Sequence, residues 1–257
     1  MSRAVILMYH IIDDPRSSEE AKYCCPSRVF EDHMRHLAEA GCAIGLPDLI
    51  AGLQGDRALP DGAVAVTFDD GFAATYEHGM PILKRYDIPA TMFLVSGRLG
   101  RDNDWMTPRG FPRRELVTRE QARAMRQAGM TIGSHTRSHP RLTEVRPEVL
   151  DAEIAGSKVD LEDSLGEEVA YFAYPFGLHN DASREAVARA GYRGACSVRS
   201  GFNSTQVDRY ELRRIEVYGS DSPWRFRQKL KFGRNDSGLT YPLSYYASRF
   251  LARFSSL

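Results

Sequence analysis

Ala-Val-Ala-Val-Thr-Phe-Asp-Asp-Gly, residues 63–71, is an apolar run rich in β-branched side chains that ends in two acids and a glycine. Such a run predicts a buried β-strand over residues 63–68. Acids at the carboxyl end of a strand stand where α/β barrels and sheets place their sites. Asp-Asp-Gly is also ordinary turn composition, so this stretch alone leaves a solvated turn equally open.

Similar runs recur along the chain and alternate with helical patterns. Further strands are predicted over residues 4–9, 88–95, 130–133, 169–174, 194–198 and 212–217. Helices are predicted from an N-cap at Ser27 to near Gly41, and over residues 73–86, 118–128, 147–165 and 182–190. This alternation is typical of a parallel sheet or barrel wrapped by helices. We therefore predict one domain over residues 1–218 and a C-terminal helical extension over residues 219–257.

The composition limits the expected partners. Of the 257 residues, 42% are hydrophobic and 26% are charged, and the 34 basic residues cancel the 34 acidic ones. Because no overall field would gather a polyanion, we expect no nucleic-acid partner, and a neutral substrate is favoured. The four cysteines show no CxxC spacing, so reduced thiols are expected rather than a thiolate zinc site or a disulfide framework.

The two ends of the sequence give expectations about location. The apolar run within the first ten residues is too short for the core of a signal peptide, and no later stretch approaches the ~20 apolar residues of a membrane helix. A cytoplasmic protein is expected, or one peripheral to the inner face of the membrane. Residues 224–232 interleave basic and aromatic side chains, and residues 245–254 are apolar at helical spacing. Such a tail can contact a membrane, but packing against its own domain is favoured.

A second polar motif follows the strand predicted over residues 130–133. It reads Gly-Ser-His-Thr-Arg-Ser-His-Pro, residues 133–140, and places His135 and His139 four residues apart. Histidines at this spacing lie on one face of a helical turn and can approach one ion, although such a pair also arises by chance. With one carboxylate they form a three-ligand set that leaves positions open for water and substrate.

Together these motifs resemble those of the polysaccharide deacetylase family, also called the NodB-homology or carbohydrate esterase family 4 group. Thr-Phe-Asp-Asp-Gly at residues 67–71 matches the first family motif, and His-Thr-Arg-Ser-His at 135–139 matches the second. Tyr-Pro-Phe-Gly at 174–177 matches the core of the third. The match covers roughly residues 1–218. It implies an α/β fold, a distorted (β/α) barrel with about seven parallel strands.

The resemblance also implies roles for individual residues. Asp69 would be the general base, and Asp70, His135 and His139 would bind a divalent ion, usually Zn²⁺. The backbone N–H of Phe176 would help to hold the oxyanion that forms during hydrolysis. These roles are chemically consistent, because a bound metal acidifies water and polarises the acetamide carbonyl.

The rest of the third motif is expected near the substrate. Pro175 and Gly177 would fix the Phe176 backbone, and Tyr174 would lie beside them. His179, just after the motif, and Trp105, in a polar loop, are further candidates for substrate contact, although either could be a packing or loop residue. Three other histidines are expected to face solvent: His33, His36 and His78.

Two departures from the family pattern need replacements. Ala173 stands where many members carry an arginine that steadies the base, and we predict that Arg214 reaches Asp69 instead; a surface arginine is the open alternative. The late Leu-x-His motif that supplies the acid is absent. Leu-Met-Tyr-His at residues 7–10 resembles the branch with poly-N-acetylglucosamine deacetylases, so His10 is the acid candidate, unless it merely packs at the barrel rim.

These observations favour a metal-dependent N-deacetylase. Its substrate would be an N-acetylated, hexosamine-containing glycan or sugar precursor, in exopolysaccharide metabolism. Two alternatives remain open at this point. One is an amidohydrolase that uses the same site on a small non-sugar amide or imide. The other is a glycan-binding module whose site has lost activity.

Overall fold

The computed structural model describes residues 3–236 and is built around one sheet of seven parallel strands. Their bounds are β1 Val5–Tyr9, β2 Val64–Phe68, β3 Ala90–Leu94, β4 Thr131–Ser134, β5 Tyr171–Ala173, β6 Gly194–Cys196 and β7 Ile215–Glu216. They lie in the order β6-β5-β4-β3-β2-β1-β7. Each strand falls within a predicted range, except that β4 ends one residue later.

Seven α-helices are seen in the described residues. They are α1 Ser27–Ala40, α2 Leu46–Gln54, α3 Met80–Arg85, α4 Arg119–Gln127, α5 Pro147–Leu165, α6 Asp181–Arg189 and α7 Pro223–Phe232. The predicted bounds of α5 are confirmed, whereas α2 was not predicted. Ser27 is the first helical residue of α1 rather than its N-cap, a position that Pro26 occupies.

The sheet curls so that its two ends approach each other. Leu212 forms a parallel bridge with Cys196 of β6, and a few residues later β7 pairs with β1 through Ile215 and Leu7. Residues 212–217 therefore lie between β6 and β1. β1 and β2 are buried along their whole length. This burial is expected for parallel strands, because the connecting helices cover the outer face of the sheet. The fold is the distorted (β/α) barrel that the family resemblance implies.

The register of the sheet brings the motif residues to one end. Tyr9 pairs with Phe68, and the next N–H, that of Asp69, donates to the Tyr9 carbonyl at 3.0 Å. Two strands away, the N–H of His135 donates to the Leu94 carbonyl at 2.8 Å. Residues that directly follow β1, β2 and β4 therefore emerge on the same carboxyl edge.

His33 is buried, so the expectation that it faces solvent is wrong. Its ring stacks on Phe226 of α7 with centroids 4.0 Å apart. Its Nε2–H donates to the Asp221 carbonyl at 3.3 Å, which leaves Nδ1 to accept from the Tyr9 hydroxyl at 3.2 Å. The polar sequence neighbours of His33 gave no sign that a distant helix would cover it.

The first part of the predicted C-terminal extension thus packs on α1. Its buried Lys229 donates to Asp221 Oδ2 at 2.5 Å and to the Glu216 carbonyl at 2.7 Å. Residues 245–254, where a second helical segment was predicted, lie outside the described residues. Within residues 3–236, no helix combines the length and the apolar character needed to cross a bilayer.

Burial lowers the pKa of His33 to about 4, and this predicts a loss of stability in acid. Between the unfolded value of about 6.5 and the folded value, the unfolded chain binds a proton that the folded chain does not. The free energy of unfolding should therefore decrease as the pH is lowered. At about pH 5 this group alone should account for a decrease of about 2 kcal/mol relative to neutral pH. Urea titrations at pH values near 7.5 and 5 measure the change.

The variant His33→Gln keeps hydrogen-bonding capacity but does not titrate. Between the two pH values, its free energy of unfolding should decrease by about 2 kcal/mol less than that of the unmodified protein. Replacing exposed His78 by Gln is the matched control and should leave the pH dependence unaltered. Equal acid losses in His33→Gln and in the unmodified protein would contradict the assignment.

Candidate metal centre and cleft

Three side chains converge at the carboxyl edge of the sheet. Asp70 follows β2, whereas His135 and His139 follow β4, and their ligand atoms all lie within 4.8 Å of one another. Asp70 Oδ1 is 3.5 Å from His135 Nε2 and 3.1 Å from His139 Nε2. All three residues are buried. This cluster is the candidate metal centre.

The geometry of the cluster fits a single metal ion. Tetrahedral coordination with bonds of about 2.1 Å separates donor atoms by about 3.4 Å, close to the two observed distances. His135 Nδ1–H donates to the Ala173 carbonyl at 2.7 Å, so the lone pair of Nε2 faces Asp70. Two imidazoles and one carboxylate are also a donor set that divalent transition metals accept.

A helical turn does not bring the two histidines together, so the explanation drawn from their spacing is wrong. Residues 135–140 form a loop in which Thr136 and His139 adopt left-handed conformations, with φ of 69° and 63°. Of the five non-glycine residues with positive φ within residues 3–236, four belong to this region: Asp70, Thr136, His139 and Phe176. Such strain persists where the surrounding structure imposes it, and it is typical of functional sites.

Glu153 of α5 holds the loop between the histidines. Its Oε2 accepts the backbone N–H groups of Arg137 and Ser138, each at 2.9 Å, and its Oε1 accepts the Ser138 hydroxyl at 2.6 Å. Arg137 in turn donates to both carboxylate oxygens of Asp160, each at 2.7 Å. The position of His139 therefore depends on α5, which the motif itself does not include.

Asp69 lies beside the cluster and is paired with Arg214. Arg214 Nη1 donates to Asp69 Oδ1 at 2.6 Å, and Nη2 donates to Oδ2 at 2.7 Å. The guanidinium is fully buried and its Nε donates to the Ser197 carbonyl at 2.9 Å. Burial alone would raise the pKa of Asp69, but the charge and the hydrogen bonds of the Arg214 guanidinium outweigh burial and hold it below its usual value. The structure thus brings Arg214 to the base candidate.

His10 follows β1 and lines the same cleft as the candidate metal centre. Its ring is half-buried and packs edge-on against Tyr23, with centroids 5.1 Å apart. Neither ring nitrogen has a hydrogen-bond partner among residues 3–236. The imidazole is therefore open to hydrogen bonding with a ligand in the cleft.

Three members of the predicted substrate-binding set do not reach the cleft. Tyr174 is fully buried, and its ring stacks on His179 with centroids 4.7 Å apart. Pro175 is buried as well, and His179 Nε2 lies 3.5 Å from Glu211 Oε1. These side chains do not line the cleft, because neighbouring residues of one motif point in different directions, and their contact with substrate stays a prediction.

Gly177 and Trp105 pack against other residues of the site, and their predicted contacts with substrate stay predictions. A Cβ on Gly177, which has φ of 67°, would lie 2.2 Å from a methyl carbon of Val198, so only glycine fits. Trp105 lies in a 3₁₀-helix, Asp104–Arg109, where a loop was expected. Its ring stacks on His139 with centroids 4.9 Å apart and an angle of 24° between the planes.

Phe176 is the one third-motif residue whose side chain lines the cleft. Its ring meets His139 edge-on at a centroid distance of 4.6 Å, and its backbone has φ of 57°. The cleft has a volume of about 330 Å³. Further lining residues that the sequence analysis did not single out include Ile11, Lys22, Tyr23, Arg109, Phe111 and Arg141. Most of them lie in loops without a periodic pattern, and their one signal is position after a strand.

A buried arginine joins two walls of the cleft. Arg114, in the loop after β3, donates to both carboxylate oxygens of Glu20, in the loop after β1, at 2.7 Å each. It also donates to Asp13 Oδ2 at 2.7 Å. The rings of Tyr23 and Phe111 meet across the same two loops at 5.6 Å. Arg114 therefore joins the loop after β1 to the loop after β3, and removal of one partner from such a buried ion pair costs about 3–5 kcal/mol.

A family model described as polysaccharide deacetylase matches residues 56–195. The matched range contains Asp69, Asp70, His135 and His139. It leaves out His10 and Arg214, which lie before and after it. The match therefore covers more than half of the chain and includes all three residues of the candidate metal centre.

Two curated relatives and a solved structure are similar to the chain. YxkH of Bacillus subtilis strain 168, whose name places it among the polysaccharide deacetylases, is 29% identical over 213 residues, or 82% of this chain and 70% of YxkH. The poly-beta-1,6-N-acetyl-D-glucosamine N-deacetylase of Staphylococcus aureus strain MSSA476 is 25% identical over 168 residues, or 62% of this chain and 56% of that protein. The alignment thus spans little more than half of the staphylococcal enzyme.

The solved structure is that of the Streptococcus pyogenes deacetylase PplD in complex with acetate. It matches with a TM-score of 0.76 and 29% identity, and the match covers 89% of this chain and 98% of PplD. The barrel is therefore similar in fold to that of PplD.

Removal of the Glu153 carboxylate should loosen the loop that carries His139. Replacing Glu153 by Ala is expected to weaken Zn²⁺ binding about tenfold, the lower end of what outer-shell partners contribute. Competition with a chromogenic chelator measures the affinity. Glu148→Ala, at an exposed position of the same helix, should leave it unchanged. Equal affinities in the two variants would show that the loop keeps its shape without Glu153.

Proposed function

The chain belongs to the polysaccharide deacetylase family, and on that premise we propose that it is a metal-dependent hydrolase of N-acetylated glycans. Its substrate is the acetamide of a hexosamine residue in a polysaccharide or a sugar precursor, within exopolysaccharide metabolism. One observation carries the proposal: Asp70, His135 and His139 form a buried three-donor cluster beside Asp69, a second and separately paired carboxylate. A glycan-binding module without catalytic activity would need neither the donor cluster nor the paired carboxylate of Asp69.

Asp70, His135 and His139 are the proposed ligands of a divalent ion, with Zn²⁺ expected from two nitrogen donors and one oxygen donor. When bound there, the ion would supply Lewis-acid polarisation of the acetamide carbonyl and would acidify water. The protein contributes preorganised donors. The Ala173 carbonyl fixes the tautomer of His135, and Trp105 stacks on His139.

Asp69 is the proposed general base. Its carboxylate has about four lone-pair positions, and the two hydrogen bonds from Arg214 leave others open for the attacking water. Its Oδ2 lies 4.0 Å from His135 Nε2, so this oxygen faces the donor cluster. Arg214 keeps the carboxylate ionised and fixed in direction. It thereby takes the role of the third-motif arginine, whose position Ala173 occupies in this chain.

Phe176 and His10 complete the proposed site. The left-handed conformation of Phe176 turns its backbone at the cleft wall, where its N–H is the proposed donor to the developing oxyanion. The departing amine must gain a proton, because an amide anion is too poor a leaving group. His10 is the proposed acid: it lines the cleft beside Asp69 and has a free imidazole.

Acetate release tests the function directly. Acetate should appear from N-acetylated glucosamine oligosaccharides, and incubation with a chelator should abolish release until Zn²⁺ is restored. Hydrolysis of cyclic imides but not of the oligosaccharides would favour the small-amide alternative. Asp69→Asn should lower kcat by about 10²–10⁴-fold with normal metal content.

The neighbouring variant serves as the comparison. Asp70→Asn should lose metal as well as activity, because it removes one of three ligands. Metal analysis of both purified proteins separates the roles. Metal loss in Asp69→Asn with retention in Asp70→Asn would reverse the two assignments.

The His10 proposal predicts a dependence on the leaving group. His10→Ala should lower kcat for the acetamide substrate by about 10²-fold. It should have little effect on an activated acetate ester such as p-nitrophenyl acetate, whose leaving group departs without a proton. His78→Ala is the control, since it replaces an exposed histidine outside the cleft. Equal losses on amide and ester would exclude His10 as the acid.

A further inference from the structure

We propose that the cleft recognises an anionic group on its substrate through Arg109 and Arg141. This inference rests on the proposed function, since it specifies which N-acetylated sugars the same site accepts. The chemical class is a phosphate or carboxylate carried by the acetylated residue or by its immediate neighbour. The zero net charge of the chain favoured a neutral substrate, but a whole-chain sum does not describe the local charge of a cleft.

Arg109 stands at the rim of the cleft, at the end of the Asp104–Arg109 3₁₀-helix. Its guanidinium carbon lies 5.2 Å from the centre of the Phe111 ring, and Nη1 is 3.9 Å from Met106 Sδ. Within residues 3–236 no carboxylate lies within 4.0 Å of its nitrogens. The side chain is therefore held against an aromatic wall while its charge remains unmatched.

Arg141 lines the same cavity from the loop after β4. Its guanidinium carbon lies 4.9 Å from the centre of the Phe176 ring, and the same ring meets His139 edge-on. Its nearest carboxylate oxygen belongs to Glu144, at 3.8 Å, and both side chains of this pair are at least half exposed. An exposed pair at that distance contributes little, so Arg141 can exchange Glu144 for a ligand.

The carboxylates that line the cavity already have partners. Asp69 is paired with Arg214, and Asp70 faces the two histidines of the candidate metal centre. Glu216 accepts the Tyr218 hydroxyl at 2.5 Å and lies 3.4 Å from Lys22 Nζ. Arg109 and Arg141 are thus positive charges that no carboxylate lining the cleft neutralises. Lys22 differs from them because Glu216 lies beside it.

The arrangement of these two arginines suits a particular kind of ligand. A guanidinium presents a planar fork that binds phosphate or carboxylate oxygens in pairs, and stacking on an aromatic ring reduces the freedom it loses on binding. Both arginines open onto one cavity of about 330 Å³ that also contains the candidate metal centre. A ligand whose acetamide reaches Asp70 therefore has its adjacent substituents near these charges.

Three probes test the inference: N-acetylglucosamine 1-phosphate, a disaccharide of N-acetylglucosamine and glucuronic acid, and neutral N,N′-diacetylchitobiose. Acetate release gives kcat/KM for each. Calorimetric titration of the zinc-loaded Asp69→Asn protein gives binding without turnover. The variants are Arg109→Gln and Arg141→Gln, whose exposed positions should not affect folding. Arg189→Gln, at an exposed arginine of α6 that does not line the cavity, is the control.

At least one anionic probe should bind about tenfold more tightly than the neutral one, and each cleft variant should reduce this preference by about five- to tenfold. Raising NaCl from about 0.05 M to about 0.5 M should reduce it as well. The control should retain it. Whether the phosphate or the carboxylate probe shows the preference identifies the source of the charge.

Two results separate this inference from the proposed function. Equal use of charged and neutral probes, with no change in the two cleft variants, overturns the anionic substrate while the deacetylase stands. Absence of acetate release from every probe, with an intact and arginine-dependent preference in binding, rejects the deacetylase and supports the anion site.

Discussion

The buried ion pair between Arg214 and Asp69 is the interaction on which both the fold and the site depend. A fully buried guanidinium needs compensation, and here two short hydrogen bonds to one carboxylate and one to the Ser197 carbonyl provide it. Arg214 belongs to the segment that lies between β6 and β1, whereas Asp69 directly follows β2. The pair therefore fastens the closing segment of the barrel to the strand that carries the acids. Loss of either partner would leave a charge in the core.

The architecture could be predicted because each strand has a recognisable local sequence pattern. Residues 63–68 are apolar and β-branched, and similar runs recur at intervals that leave room for helices. Parallel pairing then places everything that follows a strand on one edge, so the convergence of Asp70 with His135 and His139 follows from the order of elements. The proximity of Arg214 and Asp69 also agrees with the prediction, since residue 214 lies just before the final strand.

Other features could not be predicted, for physical reasons that differ from residue to residue. The letters of the third motif do not reveal that Tyr174 points into the core while Phe176 faces the cleft. The polar neighbours of His33 gave no indication of α7, which is almost two hundred residues away in sequence. The histidine spacing suggested a helical turn, whereas the loop depends on Glu153 of a later helix. Long-range packing decided each case.

The Ala173 carbonyl and the Glu153 carboxylate hold the two histidines of the candidate metal centre in position through protein contacts alone. An ion that bound there would meet three donors already in place, and little of its binding energy would be used to order the chain. One divalent ion could then replace another without refolding. Which metal the protein carries would follow from supply and from the intrinsic affinity order of the ions, rather than from a selection made during folding.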